Sequence, residues 1–235
     1  MKILGIDSSG MVASAAVAAD NTLVAEFTVN NKQTHSQTLL PMIDQVIQMS
    51  GIALQEIDAI AIAAGPGSFT GLRIGASTAK GLGLALDKPI VPVPTLEGMA
   101  YRLAGSNGLV CPMMDARRNQ VYTGIYRVAT DKLDVVADQK AVDVREILQE
   151  LAEYQEPVIF LGDGVPVYQE VIAECCQGEY QLAPLHLSRQ SAAAVAALGE
   201  IYYRQGKTET AQEHRPVYLR KSQAEREREK VCKNL

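Results

Sequence analysis

The sequence predicts an α/β chain built as two similar lobes. Three observations carry that expectation. The chain opens with three short apolar runs, Lys2–Ile6, Ala13–Ala19 and Thr22–Val29. Their tight joint at Asp20-Asn21 is a hairpin signal, so they form an antiparallel meander. After Gly105-Ser106-Asn107-Gly108 the same pattern restarts, with runs at Leu109–Met114, Gln120–Arg127 and Leu133–Ala141. Each meander is followed by helix, strand and helix in the same order. With 235 residues and 47% hydrophobic side chains, both lobes have material for a core and broad disorder is excluded.

In the first lobe, Leu39, Leu40, Ile43, Val46 and Ile47 recur at helical spacing, which places a helix over about Ser36–Met49. Pro41 falls in its first turn and Gly51 ends it. Ile57–Ala63 is apolar throughout, as in a parallel strand covered on both faces. A glycine loop leads to a second helix, about Thr70–Leu86, with Thr70 as its expected N-cap. Strand Ile90–Val93 and a short helix, Thr95–Leu103, complete the lobe. In the second lobe, Asp143 caps a helix running to about Tyr154. Strand Val158–Leu161, a helix Val165–Cys176 and an alanine-rich helix Ser191–Arg204 follow. The expected boundaries are 1–105 for the N-terminal lobe, 106–213 for the C-terminal lobe and 214–235 for a basic tail.

The charge divides accordingly. The chain carries −5 overall, but His214–Lys233 carries +4 and the remainder −9. An acidic body with 5% aromatics and no Trp does not suit a free-standing nucleic-acid binder. In the tail, Glu225, Glu227 and Glu229 interleave with Arg226, Arg228 and Lys230, as on a solvated helix; a docking role near a partner or near RNA phosphates is the alternative. The four cysteines, Cys111, Cys175, Cys176 and Cys232, form no C-x-x-C pair. The opening residues hold no signal-peptide core, and the apolar stretch 57–86 is broken by Asp58, Pro66, Arg73 and Lys80. The expectation is a cytoplasmic chain without a membrane segment.

Two duplicated lobes facing each other across a cleft are the architecture of actin-like ATPases (the ASKHA fold). In that fold the strand turns hold phosphate. Here they are Asp7-Ser8-Ser9-Gly10 and Met114-Asp115-Ala116-Arg117-Arg118-Asn119. Asp7 could orient a metal-bound water, and Ser8 and Ser9 could donate to phosphate; each turn also reads as one satisfying its own backbone. Arg117 and Arg118 are too bulky for a nucleotide hairpin and would intrude or hold an anion. Gly162-Asp163-Gly164, between strand and helix, would let a ligand approach the backbone, or make a plain turn. Asp7, Ser9, Asp115, Gly162 and Gly164 are the candidate residues of a vestigial nucleotide cleft. No resident cofactor is expected. His35, His186 and His214 are scattered, without metal-ligand spacing.

The most specific segment is Gly65-Pro-Gly-Ser-Phe-Thr-Gly-Leu-Arg-Ile-Gly75. It lacks the G-K-[ST] of a P-loop. Gly71, Gly75, Ala79 and Gly83 follow at strict four-residue spacing. Glycine inside a helix costs about 1 kcal/mol, so close approach of another backbone must offset it. That backbone belongs either to the chain's own sheet or to a partner helix.

GPGSFTGLRIG, together with IDSS, MDARRNQVY and P-VYLRKSQAEREREK, resembles the bacterial TsaB (YeaZ) family over nearly the whole chain. The resemblance implies a non-catalytic paralogue of TsaD, the transferase that forms threonylcarbamoyladenosine in tRNAs reading codons that begin with A. It implies a complex with TsaD and the ATPase TsaE, a homodimer when alone, and tRNA contact only through the complex. The metal-binding helix of TsaD corresponds to Val93–Met99 here, with Thr95 and Met99 where two histidines would stand. Thr and Met are poor ligands for such a metal. Pairing through N-lobe helices carries over to Leu39, Leu40, Ile43, Val46, Ile47, Gly71, Leu72, Ile74, Gly75, Ala79, Leu82 and Gly83. The competing readings are an actin-like ATP-binding phosphotransferase, leaning on Asp7, Asp115 and Gly162–Gly164, and a metallopeptidase.

Overall fold

The computed structural model describes residues 1–31 and 33–220. Residues 221–235, most of the expected basic tail, lie outside the described residues.

The chain adopts the two-lobed actin-like fold. In the first lobe β1 (Lys2–Asp7), β2 (Val12–Ala19) and β3 (Thr22–Asn30) form the meander. β4 (Ala59–Gly65) and β5 (Ile90–Pro94) extend it in parallel, giving the order β3-β2-β1-β4-β5. In the second lobe β6 (Leu109–Asp115), β7 (Gln120–Val128) and β8 (Leu133–Asp143) repeat the meander. β9 (Val158–Leu161) pairs parallel with β6, and β10 (Tyr180–Leu182) with β9, so the order is β10-β9-β6-β7-β8. Each sheet has the same hand-over from antiparallel to parallel strands.

Helices α1 (His35–Ser50) and α2 (Phe69–Leu86) cover one face of the first sheet. α1 closes on Gly51 at φ 67°, the left-handed conformation glycine adopts without strain. α2 is capped by Ser68, whose hydroxyl accepts from the Gly71 amide at 3.3 Å. This corrects the expected cap at Thr70, which lies inside the first turn. α3 (Thr95–Tyr101) sits between the lobes, and α4 (Val144–Tyr154) covers the second sheet with its Asp143 cap in place. The single helix expected over Val165–Cys176 is two, α5 (Gly164–Val167) and α6 (Gln169–Cys175).

The last helix, α7 (Ala192–Arg204), returns to the first lobe. Val195, Ala196, Leu198 and Tyr202 pack on Ile3, Ala61, Val91 and Val93 across the sheet from α1 and α2. Small residues permit this. A side chain at Gly199 would place its Cβ 2.4 Å from Ala61 Cβ, and one at Gly5 would strike the Ala192 carbonyl at 2.3 Å. The segment expected as one C-terminal lobe, 106–213, therefore divides between the two sheets. Glu26 of β3 fixes the start of α7: its Oε1 accepts from Ser191 Oγ at 2.6 Å and from the Ala193 amide at 3.3 Å. A carboxylate at a helix N-terminus opposes the helix dipole and satisfies its free amides.

Candidate functional site

The site begins at the turn after β1. Asp7 Oδ1 accepts from the Ser9 amide at 2.9 Å and from the Ser9 hydroxyl at 2.7 Å. Ser8 Oγ donates to the Gly71 carbonyl at 2.9 Å, and the Ser68 amide donates to the Ser9 carbonyl at 2.6 Å. The GPGSFTG segment thus grips the turn. Its glycines are the reason it can: a Cβ at Gly67 would lie 2.2 Å from the Ser9 carbonyl oxygen and one at Gly71 2.1 Å from that of Ser8. A Cβ at Gly75 would lie 2.3 Å from Ser8 Oγ. Ala79 is buried in the first core, and a Cβ at Gly83 would meet Lys88 O and Ala211 Cβ at 3.1 Å. Of the two uses open for the small-residue ridge, the structure selects packing on the chain's own lobe; Gly71, Gly75, Ala79 and Gly83 present no bare face to a partner.

A cleft of about 1050 Å³ opens above this floor. One wall is Ser9–Met11, the start of α1 and residues 66–71. The other is Met114–Arg118, Tyr122 and Asp163, and Tyr218–Arg220 closes the third side. This closing segment is anchored by the Val217 amide, which donates to the Ala64 carbonyl at 2.7 Å, and by Arg220 Nη1, which donates to the Ala116 carbonyl at 2.7 Å. Tyr218 stacks on Phe69 with centroids 4.7 Å apart, and Arg73 lies over the same Phe69 ring at 4.0 Å. His35 Nε2 is 2.8 Å from the Gly10 carbonyl.

Of the residues expected in the cleft, Ser9 and Asp115 border it. Asp7 lies beneath, 1% exposed, its carboxyl pushed up to about 6 by burial. Gly162 and Gly164 lie behind the wall, where a Cβ would meet the Met113 carbonyl at 2.0 Å and 3.0 Å. The expectation that these glycines face a ligand is corrected: they let the β9–α5 turn approach β6. α5 has only four residues. Asp163, between the two candidate glycines, borders the cleft: its Oδ1 accepts from the Asp115 amide at 3.2 Å, and burial raises its pKa. Asp115 Oδ1 accepts from the Arg117 amide at 2.8 Å and from Tyr168 OH at 2.9 Å. Ser9 is fully buried and its hydroxyl is given to Asp7. The Ser8 and Ser9 hydroxyls are therefore engaged, His35 Nδ1 is buried without a partner among the described residues, and the guanidinium groups stand at the rim.

Comparison with known proteins decides the family. The family model described as "TsaD: tRNA N6-adenosine threonylcarbamoyltransferase" matches residues 22–228. The tRNA threonylcarbamoyladenosine biosynthesis protein TsaB of Bacillus subtilis is 35% identical over 229 residues, covering 96% of both chains. The chain belongs to the TsaB family. TsaB of Escherichia coli is 31% identical over 227 residues, 95% of this chain and 96% of that one. A crystal structure of a Pseudomonas aeruginosa protein described as similar to peptidase YEAZ superposes with a TM-score of 0.79 at 26% identity, covering 93% of this chain and 99% of that one.

Two further regions matter in a TsaB-family chain. The first is α3, where the TsaD resemblance would put metal ligands. Thr95 is fully buried and its Oγ1 accepts from the Gly65 amide at 3.1 Å. Met99 is buried with Leu96, Met114, Tyr126 and Leu161 in the core between the lobes. Among the described residues, no three His, Cys, Asp or Glu side chains are grouped to hold a metal ion. The second is the outer face of α1 and α2. Leu39, Ile43, Val46 and Leu72 are core residues, and Ile47, Ile74 and Leu82 are half-buried against the same core. Within the expected interface set, Leu40 alone is openly exposed, at 57%. Met49 and Leu84 were missed by the helical spacing and stand 74% and 54% exposed. Among the described residues, no helix is long and apolar enough to cross a membrane.

Proposed function

We propose that this chain is the non-catalytic scaffold and activator subunit of a TsaB–TsaD–TsaE complex that forms threonylcarbamoyladenosine in tRNAs reading codons that begin with A. The role in tRNA threonylcarbamoyladenosine biosynthesis follows from family membership. The finer reading is supported above all by α3. The position that corresponds to the metal helix of the transferase is occupied by Thr95 and Met99, and both side chains are committed to the interior. The gripped β1–β2 turn supports it further, because its hydroxyls are tied to the chain itself.

In this reading catalysis belongs to TsaD and this chain supplies a surface. That surface lies on the α1–α2 layer, where Leu40, Met49 and Leu84 are exposed, Leu40 and Met49 on opposite flanks of α1. The same face serves a homodimer when the chain is alone, and TsaE joins through the complex. The test is co-elution of the full chain with the TsaD of the same genome, followed by tRNA modification with and without this chain. A stable complex and modification that requires both chains are expected. Tight binding and turnover of ATP-magnesium by the isolated chain would favour a phosphotransferase instead.

A further inference from the structure

The cleft rim carries cations that the fold leaves unpaired. Arg117 and Arg118 are exposed on the β6–β7 turn, and Arg220 faces them from the closing segment. Arg73 stands beside Tyr218 on the Phe69 ring. Among the described residues none of the four forms an ion pair with a carboxylate. Arg220 donates to a carbonyl and Arg73 to a tyrosine hydroxyl, both neutral acceptors. The two carboxylates of the cavity, Asp115 and Asp163, are held inward by Tyr168 and by the turn's own amides. A chain of net charge −5 thus gathers three guanidinium groups at one opening, with Arg73 beside it against Phe69 and Tyr218.

The turn that presents two of them is costly. Arg117, Arg118 and Asn119 all hold positive φ, at 62°, 60° and 60°. Left-handed backbone costs a non-glycine residue about 1 kcal/mol or more. A turn needed only to reverse the chain would accept glycine there.

The division between floor and rim indicates the form of the ligand. A small phosphate seated at the floor would need the Ser8 and Ser9 hydroxyls and the Ser68 amide, and all three are used internally. Apart from His35 Nδ1, the charged donors stand at or beside the mouth, spread over two lobes and the closing segment. That arrangement suits phosphates passing across the opening, as along a polynucleotide backbone, with guanidinium groups as bidentate partners. Lys221, Arg226, Arg228, Lys230 and Lys233 follow Arg220 in the sequence.

We propose that the rim formed by Arg73, Arg117, Arg118 and Arg220 binds the phosphate backbone of RNA, and that the RNA is the tRNA substrate; this rests on the role in tRNA modification given above. The acidic body keeps the affinity of the isolated chain low and strongly dependent on salt.

The experiment is fluorescence anisotropy of labelled tRNA with the full chain, begun at low ionic strength and titrated with sodium chloride. The wild type binds saturably. Arg117→Glu/Arg118→Glu weakens binding at least about tenfold and lowers the log–log salt slope by about 1.5, as expected for two lost phosphate contacts. Arg117→Gln/Arg118→Gln falls between, and unchanged melting temperatures show that both variants fold. Co-elution with TsaD is scored on the same preparations and does not respond to either variant, so failure of the scaffold reading is seen separately. Absence of wild-type binding at the lowest salt overturns the proposal. So does equal affinity and slope in wild type and the charge-reversed variant. Displacement of tRNA by ATP-magnesium at equal phosphate concentration would assign the rim to small phosphates. Binding lost on deleting 222–235 yet indifferent to Arg117 and Arg118 would assign the RNA to the tail; either result overturns it.

Discussion

Gly71→Ala separates two explanations of the small-residue ridge on α2. The added Cβ would lie 2.1 Å from the Ser8 carbonyl oxygen. That oxygen belongs to backbone held by the Ser9–Ser68 hydrogen bond, so a rotamer change cannot relieve the contact. Overpacking of this kind costs about 1–3 kcal/mol. Alanine recovers up to about 1 kcal/mol through helix propensity, which leaves a net loss of up to about 2 kcal/mol. For a chain of this size that lowers the melting temperature by up to about 8 °C. Gly81→Ala on the same helix is the control: its Cβ meets nothing within 4 Å. It should stabilise by about 1 kcal/mol. Calorimetry or thermal circular dichroism on the two proteins, alone and with TsaD, provides the assay. A Gly71→Ala chain that melts with the control but fails to bind TsaD would refute the intralobe packing argued here. The same reasoning means that Gly75→Leu would disturb the β1–β2 turn before it could test any partner surface.

Three other substitutions probe the site. Asp7→Asn removes a buried carboxylate whose pKa is raised from 3.8 to about 6. The folded state holds that proton up to a higher pH than the unfolded state, so ionisation costs stability as pH rises from about 4 to 6. Relative to wild type, the Asn variant should therefore gain about 2 kcal/mol between pH 4 and 7, read from urea midpoints at each pH. Thr95→Val leaves the buried Gly65 amide without its acceptor and should cost about 1–3 kcal/mol, again by urea denaturation. Glu26→Ala should loosen the start of α7 by about 1–2 kcal/mol, whereas Glu26→Gln keeps an acceptor oxygen and restores most of it. Amide exchange at Ala193 reads this locally.

Much of the fold was legible because each lobe repeats a strong local signal. Apolar runs, polar turns and helical spacing identify the strands and helices without knowledge of their partners. The return of α7 to the first sheet was not legible. Its alanine-rich surface says that it is buried, but the residues it meets, Ile3 and Ala61 among them, lie more than a hundred positions away. β10 is three residues long, too short to show alternation. The ridge on α2 announced close approach to some backbone, and only the fold shows that the backbone is Ser8. Gly162 and Gly164 misled for the same reason: glycine marks a near neighbour and does not say whether it is a ligand or the Met113 carbonyl. Ser9, Asp115, Arg117 and Arg118 were found because a strand end and its turn are local, whereas Asp163 and Tyr218 reach the cleft through tertiary packing.

A scaffold that pairs with TsaD through the α1–α2 layer must lose that pairing when charge is placed on its exposed apolar side chains. The direct measurement is size-exclusion co-elution of Leu40→Glu/Leu84→Glu with the TsaD of the same genome. Both side chains are exposed, so the melting temperature should stay at the wild-type value. The variant is expected to elute apart from TsaD, and tRNA modification in the reconstituted mixture to fall with it. A variant that still co-elutes with TsaD and supports modification as the wild type does would contradict it.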